Sequence, residues 1–242
     1  MVNLLKRAPH HIHMLAGNDE LRPRAAEELT EAMTRAASRQ DDLDKAIASV
    51  RALRRAELCR IALSDVLGDA DLATVEVALS DLASATMDAG LVLARRRVDA
   101  PEIGVIAVGR WGGREMSYSS DADCMFVVPD GVEGEDLTRA TELVRHLSDI
   151  IGKPGPDPSL VVDTDLRPEG KGGPQVRTVS SYATYYAKWA STWEAQMLLR
   201  ARPGAGELRL AEQVLAGLAG FRYPVGGLRP EQVTEIRKLK SR

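Results

Sequence analysis

All ten aromatic residues of this 242-residue chain lie at or after Trp111, and the first hundred residues contain none. A unit without rings must close its core with aliphatic side chains, which packed helices present at steps of three and four. The first hundred residues read that way. Pro23 suits the first turn of a helix over residues 25–37. Over residues 41–67, Leu43, Ile47, Val50, Leu58, Ile61 and Val66 recur mostly at helical spacing. Gly68 is a stop signal, and Asp71 is an N-cap for a further helix striped by Leu72, Val75, Leu79 and Leu82. The expectation is a bundle of roughly four helices over residues 1–100, closed by the turn Asp99-Ala100-Pro101.

The period then changes. Residues 103–108 form a continuous apolar run that suits a buried strand, residues 123–128 a second and residues 160–163 a third. Between the last two, residues 134–151 can form a helix carrying Leu143, Val144, Leu147 and Ile150. This order predicts an α+β domain with a small sheet over residues 101–203, followed by a helical segment over 204–242.

Composition narrows the class. Hydrophobic residues make up 44 % and charged residues 28 %, which favours a packed core over disorder. No apolar run approaches the ~18–20 residues of a membrane helix, and no signal-peptide succession is seen. Cys59 and Cys124 lack near neighbours, which argues against a disulfide scaffold or a zinc-thiolate site. The cytoplasm is the expected compartment, without membrane or nucleic acid as partner. A net charge of −3 fits no general affinity for nucleic acid.

The chemistry concentrates in residues 108–123, where a strand enters a Gly112-Gly113 turn and a second strand begins Asp121-Ala122-Asp123. Paired glycines let a backbone approach a phosphate, and successive N–H groups can hold its charge. Residues i and i+2 of a strand share a face, so Asp121 and Asp123 are expected to aim together. Two adjacent carboxylates repel unless a cation lies between them, and Mg²⁺ prefers carboxylate oxygens plus substrate phosphates. A third carboxylate is expected at the end of the third strand, where spacing alone leaves Asp163 and Asp165 as alternatives. Ser120, Arg167, Lys171 and Arg177 are expected on the phosphate side.

At this point the residues resemble a family. Gly109-Arg110-Trp111-Gly112-Gly113-Arg114-Glu115-Met116-Ser117-Tyr118-Ser119-Ser120-Asp121-Ala122-Asp123 is similar to the signature of the glutamine synthetase adenylyltransferases. Asp163-Thr164-Asp165-Leu166-Arg167-Pro168-Glu169-Gly170 with Gly173-Pro174 is a second such block. A third comprises Ser181-Tyr182, Tyr185-Tyr186, Trp193-Glu194-Ala195-Gln196 and Leu199-Arg200-Ala201-Arg202. The stretch from Ala52-Leu53-Arg54-Arg55 to Asp65-Val66-Leu67-Gly68 resembles the family's helical lead-in.

The resemblance implies a DNA polymerase β-like nucleotidyltransferase fold with flanking helices and a small mixed sheet. It implies Mg²⁺, with ATP as substrate, and transfer of AMP to a tyrosine of glutamine synthetase, which regulates nitrogen assimilation. Asp121, Asp123 and Asp163 would be the metal-binding catalytic set, alignment choosing Asp163 over Asp165. A PII-type signal protein would act through the full-length enzyme. Full-length members carry two related halves, one adding AMP and one removing it by phosphorolysis. The wording here resembles the C-terminal, adenylylating half of actinobacterial members. Reverse deadenylylation and a non-catalytic nucleotide-sensing or docking module are the alternatives. Asp165 stands where arginine or asparagine is usual, and Trp111 where leucine or phenylalanine is. The family continues with a further helical domain past the amphipathic helix of Val233, Ile236 and Leu239, so the chain reads as part of a longer member.

Other features have plainer readings. His10, His11 and His13 could ligate a metal but lie near the terminus. Tyr182, Tyr185, Tyr186, Trp189 and Trp193 read as a core-packing stripe rather than an adenine platform. Arg51, Arg54, Arg55 and Arg60 read as a solvated or interfacial face, Arg95-Arg96-Arg97 as a solvated helix end, and Cys124 as core.

Overall fold

The computed structural model describes Pro9, Met14, Leu15 and residues 21–240, the last two by backbone alone. The His10, His11 and His13 cluster lies outside the described residues. The chain divides into two compact units. The first gathers described residues of Met1–Asp99 with Arg114–Ala122 and Glu142–Val162; the second gathers Ala100–Gly113, Asp123–Thr141 and Asp163–Arg242.

The first unit is helical. Helix α1 (Ala26–Ser38) buries Leu29, Met33 and Ala37, one per turn. It begins at Ala26 with Ala25 as N-cap, so Pro23 precedes the first turn rather than opening it. Helix α2 (Leu43–Leu67) starts where the Asp42 side chain accepts the Lys45 N–H, and it ends at Gly68 in the left-handed region (φ 79°). Helix α3 (Leu72–Arg95) is capped by Asp71, whose side chain accepts the Thr74 N–H. Val75, Leu79 and Leu82 are buried in it as the stripe predicts, but Leu72 at the first turn is exposed. Among the described residues, and contrary to the expectation from apolar runs, α3 is long and apolar enough to cross a membrane. Most of it is buried inside the protein, as in a core helix.

The fourth bundle member is drawn from farther along the chain. Helix α5 (Gly134–Gly152) enters this unit from Glu142 onward. A Cβ on Gly90 of α3 would stand 2.5 Å from Leu147 Cδ1 and 2.9 Å from Ile151 Cγ2, so glycine permits the close approach of the two helices.

The arginines of α2 do not form a solvated face. Arg51 donates to the Lys153 carbonyl, Arg54 to the Ser159 carbonyl at 3.4 Å, and Arg55 pairs with Asp157. Together they hold the loop that follows α5. Arg60 pairs with the buried Glu57 at 3.0 Å. Burial, followed by the charge of Arg51, pulls the Arg54 pKa down to about 10.

The second unit is built on a mixed sheet of five strands: β1 (Gly104–Ala107), β2 (Ala122–Val128), β3 (Val162–Asp163), β4 (Val176–Thr178) and β5 (Arg202–Gly206). Strand β1 pairs antiparallel with β2 (Ala107 opposite Cys124) and with β5, while β4 pairs parallel with β2 over Phe126–Val128. Since β1 takes one edge of β2, strands β3 and β4 share the other. The third apolar run yields only two strand residues. Strands β4 and β5 are invisible to the periodicity argument. Strand β5 reads Arg-Pro-Gly-Ala-Gly, a composition tolerated because it occupies a sheet edge, where proline's missing N–H costs no ladder bond.

Helices α6 (Val179–Lys188), α7 (Thr192–Leu199) and α8 (Leu208–Gly217) surround one core with Ile106, Val108, Met125 and Val127. Tyr182, Tyr185 and Tyr186 are in that core, and the Tyr182 hydroxyl donates to the Phe126 carbonyl at 3.0 Å. Trp189 and Trp193 depart from the core-stripe reading, being 64 % and 40 % exposed. Trp189 caps α6 and Trp193 follows the break before α7, so helical spacing no longer carries either ring inward.

Candidate functional site

The single turn of helix after β1, α4 (Gly109–Gly112), brings the chain back toward the strand it has left. Val108 N–H donates to the Asp123 carbonyl at 3.0 Å, which sets this bend beside the second residue of β2. A Cβ on Gly109 would stand 2.9 Å from Asp123 Cγ and 3.1 Å from Asp123 Cβ, and closer still to Oδ2. Gly109 also has φ 57°, which L side chains rarely adopt. Both facts demand glycine, the first because the Asp123 carboxylate lies over this Cα, the second because of the turn itself. Sequence reasoning picked Gly112 and Gly113 and passed over Gly109. The signal, a glycine closing an apolar strand ahead of the pair, is legible only afterwards.

The predicted glycine pair has divided duties. Gly112 is buried, and a Cβ there would meet the carbonyl oxygens of Arg200 at 2.6 Å and Ala107 at 2.7 Å. Its N–H donates to Val108 O at 2.7 Å, and that of Gly113 to Gly109 O at 3.2 Å. These amides are spent inside the turn, so the glycines offer close approach rather than donors. Gly113, half-buried, is the member of the pair that meets solvent. Trp111 is fully buried, and its ring lies where a Cβ on Gly204 would be 3.1 Å from Cη2 and Cζ2. A glycine on β5 thereby makes room for the larger ring.

Asp163 ends β3, and its Oδ1 accepts the Asp165 N–H at 2.8 Å. Asp165 lies in the following turn and pairs with Lys171 at 3.1 Å. The ambiguity left by spacing is thus resolved in position: Asp163 is on the sheet and Asp165 is off it. Asp123 and Asp163 fall in one neighbourhood. The Cys124 thiol is driven well above its ordinary range by burial first, then by the Asp123 and Asp163 charges. Asp121 is exposed, immediately precedes β2 and belongs with the Arg114–Ala122 segment of the first unit. Among the described residues, no three His, Cys, Asp or Glu side chains form a group able to hold a metal ion. The structure therefore brings Asp123 and Asp163 together and does not present all three carboxylates as a preformed cage. Both side chains supply only carboxylate oxygens, the donors a hard divalent cation takes.

The basic residues expected on the phosphate side are largely employed in shaping a loop. Arg167 donates to the carbonyls of Thr164 (2.9 Å), Gly173 (3.1 Å) and Lys171 (3.1 Å), and to the Thr164 hydroxyl (3.0 Å). It folds the loop after Asp163 around itself. Arg177 is mostly buried, pairs with Glu169 at 3.1 Å and lies over the Tyr185 ring at 5.6 Å. Lys171 is the exposed cation of this set. Ser120 accepts the Ser117 N–H on its hydroxyl at 2.9 Å and closes the turn before Asp121.

Cys124, Tyr182 and Tyr186 all keep their protons more tightly in the folded chain because they are buried. The unfolded chain releases those protons from about pH 8.5 for the thiol and about pH 10 for the phenols. Above those values the unfolded state binds fewer protons, so stability is complete below about pH 8.5 and declines as pH rises. The urea midpoint is expected to drop between about pH 8 and 10; a level midpoint across that window contradicts the burial argument.

With the geometry established, similarity to known proteins is informative. The sequence profile of the glutamate-ammonia ligase adenylyltransferase family matches residues 1–217. Three bacterial proteins, each named a bifunctional glutamine synthetase adenylyltransferase/adenylyl-removing enzyme, align with nearly the whole chain. The one from Cutibacterium acnes is 47 % identical over 243 positions, covering 100 % of this chain and 24 % of that protein. The one from Mycolicibacterium smegmatis is 43 % identical, covering 99 % and 25 %. The one from Streptomyces coelicolor is 38 % identical, covering 99 % and 26 %. The chain spans about a quarter of the length of the curated relatives it matches.

Proposed function

Because this chain belongs to the glutamate-ammonia ligase adenylyltransferase family, we propose that it carries a Mg²⁺-dependent nucleotidyltransferase site of DNA polymerase β-like design. Its reaction would be transfer of AMP from ATP to a tyrosine of glutamine synthetase. The observation that supports this reading most is the Asp123 carboxylate seated over Gly109 with Asp163 in the same neighbourhood. Two negative groups held together in a half-buried place are costly unless a cation joins them.

Asp123 and Asp163 would hold Mg²⁺, and the likeness to the family adds Asp121 to that set. When bound, the ion supplies positive charge against the triphosphate and favours loss of the phenolic proton. Gly113 would let the triphosphate come close to the backbone, and Ser120 and Lys171 would contribute to holding it. Arg167 acts indirectly, by fixing the loop that follows Asp163. The tyrosine oxygen forms a bond to the α-phosphorus, the bond to the β-phosphate oxygen breaks, and pyrophosphate leaves. No covalent enzyme intermediate is needed, and the residues act by positioning and charge stabilisation. A PII-type protein would act through the complete enzyme.

The relatives' names carry both addition and removal of AMP, so direction needs its own test. The chain is incubated with ATP labelled at the α-phosphate, Mg²⁺ and glutamine synthetase. Label appearing on a tyrosine of the target supports addition. Release of AMP from prelabelled target as ADP, only when inorganic phosphate is added, supports removal in its place. Neither product would leave a nucleotide-sensing or docking role and refute the catalytic reading of this chain.

A further inference from the structure

Glu57 of α2 is 2 % exposed, and two arginines share it. Its Oε2 accepts from Arg60 Nε at 3.0 Å, one turn along the same helix. Its Oε1 lies 3.5 Å from Nε of Arg24, in the segment before α1. Among the described residues Oε1 has no hydrogen bond beyond that ion pair. A carboxylate buried so deeply is costly unless opposite charge meets it. Here two guanidiniums do so, and both reach it through Nε. Each guanidinium carries further N–H groups on its two Nη atoms, set in a rigid fork. Glu57 therefore orients the arginines from behind and leaves both forks for another acceptor.

Arg24 and Arg60 both line an open cleft of about 1140 Å³ in the first unit. Ligand pockets commonly run to about 300–1,000 Å³, so the space suits a small molecule. Arg22 lines it too, while Ala73, Val77 and Ala78 of α3 supply an apolar wall. Two acidic residues also reach the cleft, Asp81 and Glu28. Asp81 is answered by Arg114, whose Nη2 donates to both of its carboxylate oxygens at 2.7 Å. The trio of Arg24, Arg60 and Glu57 keeps one net positive charge, and Arg22 adds another. Among the described lining residues, the exposed Glu28 is the negative group left to set against them.

We propose that this cleft is a binding site for a small organic oxyanion. The phosphate or carboxylate group of the ligand takes the forks of Arg24 and Arg60, and its apolar body lies on the α3 wall. Guanidinium forks match the paired oxygens of either group, and such charge-assisted bonds are the strong ones. Glu57 is a positioning residue that touches no ligand. The cleft belongs to the first unit, whereas Asp123 and Asp163 belong to the second. Its occupation is thus a separate property from nucleotidyl transfer.

The test is isothermal titration calorimetry on the 242-residue chain with n-butyl phosphate and with pentanoate, at an ionic strength held constant by NaCl. Saturable binding of one or both is expected, and the probe that binds tells a phosphate-bearing ligand from a carboxylate. Arg24→Met removes one fork and leaves Glu57 paired with Arg60, so the fold is protected. It is expected to weaken binding by about 10-fold or more. Arg24→Lys keeps the charge without the fork and should fall between the two. Val77→Asp sets a carboxylate on the apolar wall, at an already exposed position. It is expected to weaken binding by about 10-fold or more with a wild-type melting temperature. An arginine that served only the fold would change melting temperature in Arg24→Met and leave affinity alone. Saturable binding of neither probe by the wild-type chain, or binding that either Arg24→Met or Val77→Asp leaves unchanged, overturns the proposal. A chain that binds a probe here and transfers no AMP refutes the transferase reading alone.

Discussion

Asp123→Asn is expected to lower AMP transfer by at least about 100-fold, the scale of removing a single preorganised charge-stabilising group, while the protein stays folded. The two side chains are nearly the same shape, so packing over Gly109 is preserved. What disappears is one full negative charge from a pair that also includes Asp163. The loss should therefore fall on turnover and on metal affinity rather than on stability. Transfer of labelled AMP to glutamine synthetase and urea unfolding measure the two effects separately. Wild-type transfer by this variant would remove Asp123 from the mechanism. A collapse of the unfolding midpoint would make its role structural.

Gly109→Ala should damage both properties. The new methyl group must occupy space now held by the Asp123 carboxylate, and the backbone must keep φ 57° with a side chain present. The left-handed conformation costs roughly 1–2 kcal/mol and forced overpacking roughly 1–3 kcal/mol, so a loss of about 2–5 kcal/mol is expected. Transfer should also fall, because the carboxylate is the softer of the two obstacles and will be displaced. Adding Asp123→Ala to Gly109→Ala should restore part of the stability, by clearing the carboxylate from the methyl group, and none of the activity. The strain at φ 57° would remain. If Gly109→Ala unfolds at the wild-type urea concentration, the close approach of Asp123 to Gly109 is not present in solution.

These two positions show unequal legibility. Asp123 was readable because an Asp-x-Asp at the start of an apolar run has few stable explanations, and because neighbouring blocks resemble a known family. Gly109 was not, since its necessity depends on which side chain the next strand places over it. The same holds for the basic residues. Arg167 and Arg177 carry charge suited to phosphate in any linear reading, yet folding spends Arg167 on four loop contacts and Arg177 on Glu169 and Tyr185. Arg51, Arg54 and Arg55 show the reverse: of the solvated and interfacial readings folding takes the second, and they hold a loop a hundred residues away. Arginine carries several donors on a long stem, so its partner is decided by whatever carbonyls come within reach.

Local chemistry was enough for the helices of the first hundred residues, the cap at Asp71, the stop at Gly68, and the apolar strands around Gly104 and Met125. Those signals act within one turn or one strand, where spacing and hydrogen-bonding capacity suffice. Tertiary structure alone decided that a fourth bundle helix comes from residues 142–152, that β5 joins the sheet edge despite its Pro-Gly composition, and that Arg114 is held by Asp81. Each of these joins residues far apart in the chain. Contacts of that kind are selected by the packing and hydrogen bonding of the whole unit, and no periodicity along the sequence records them.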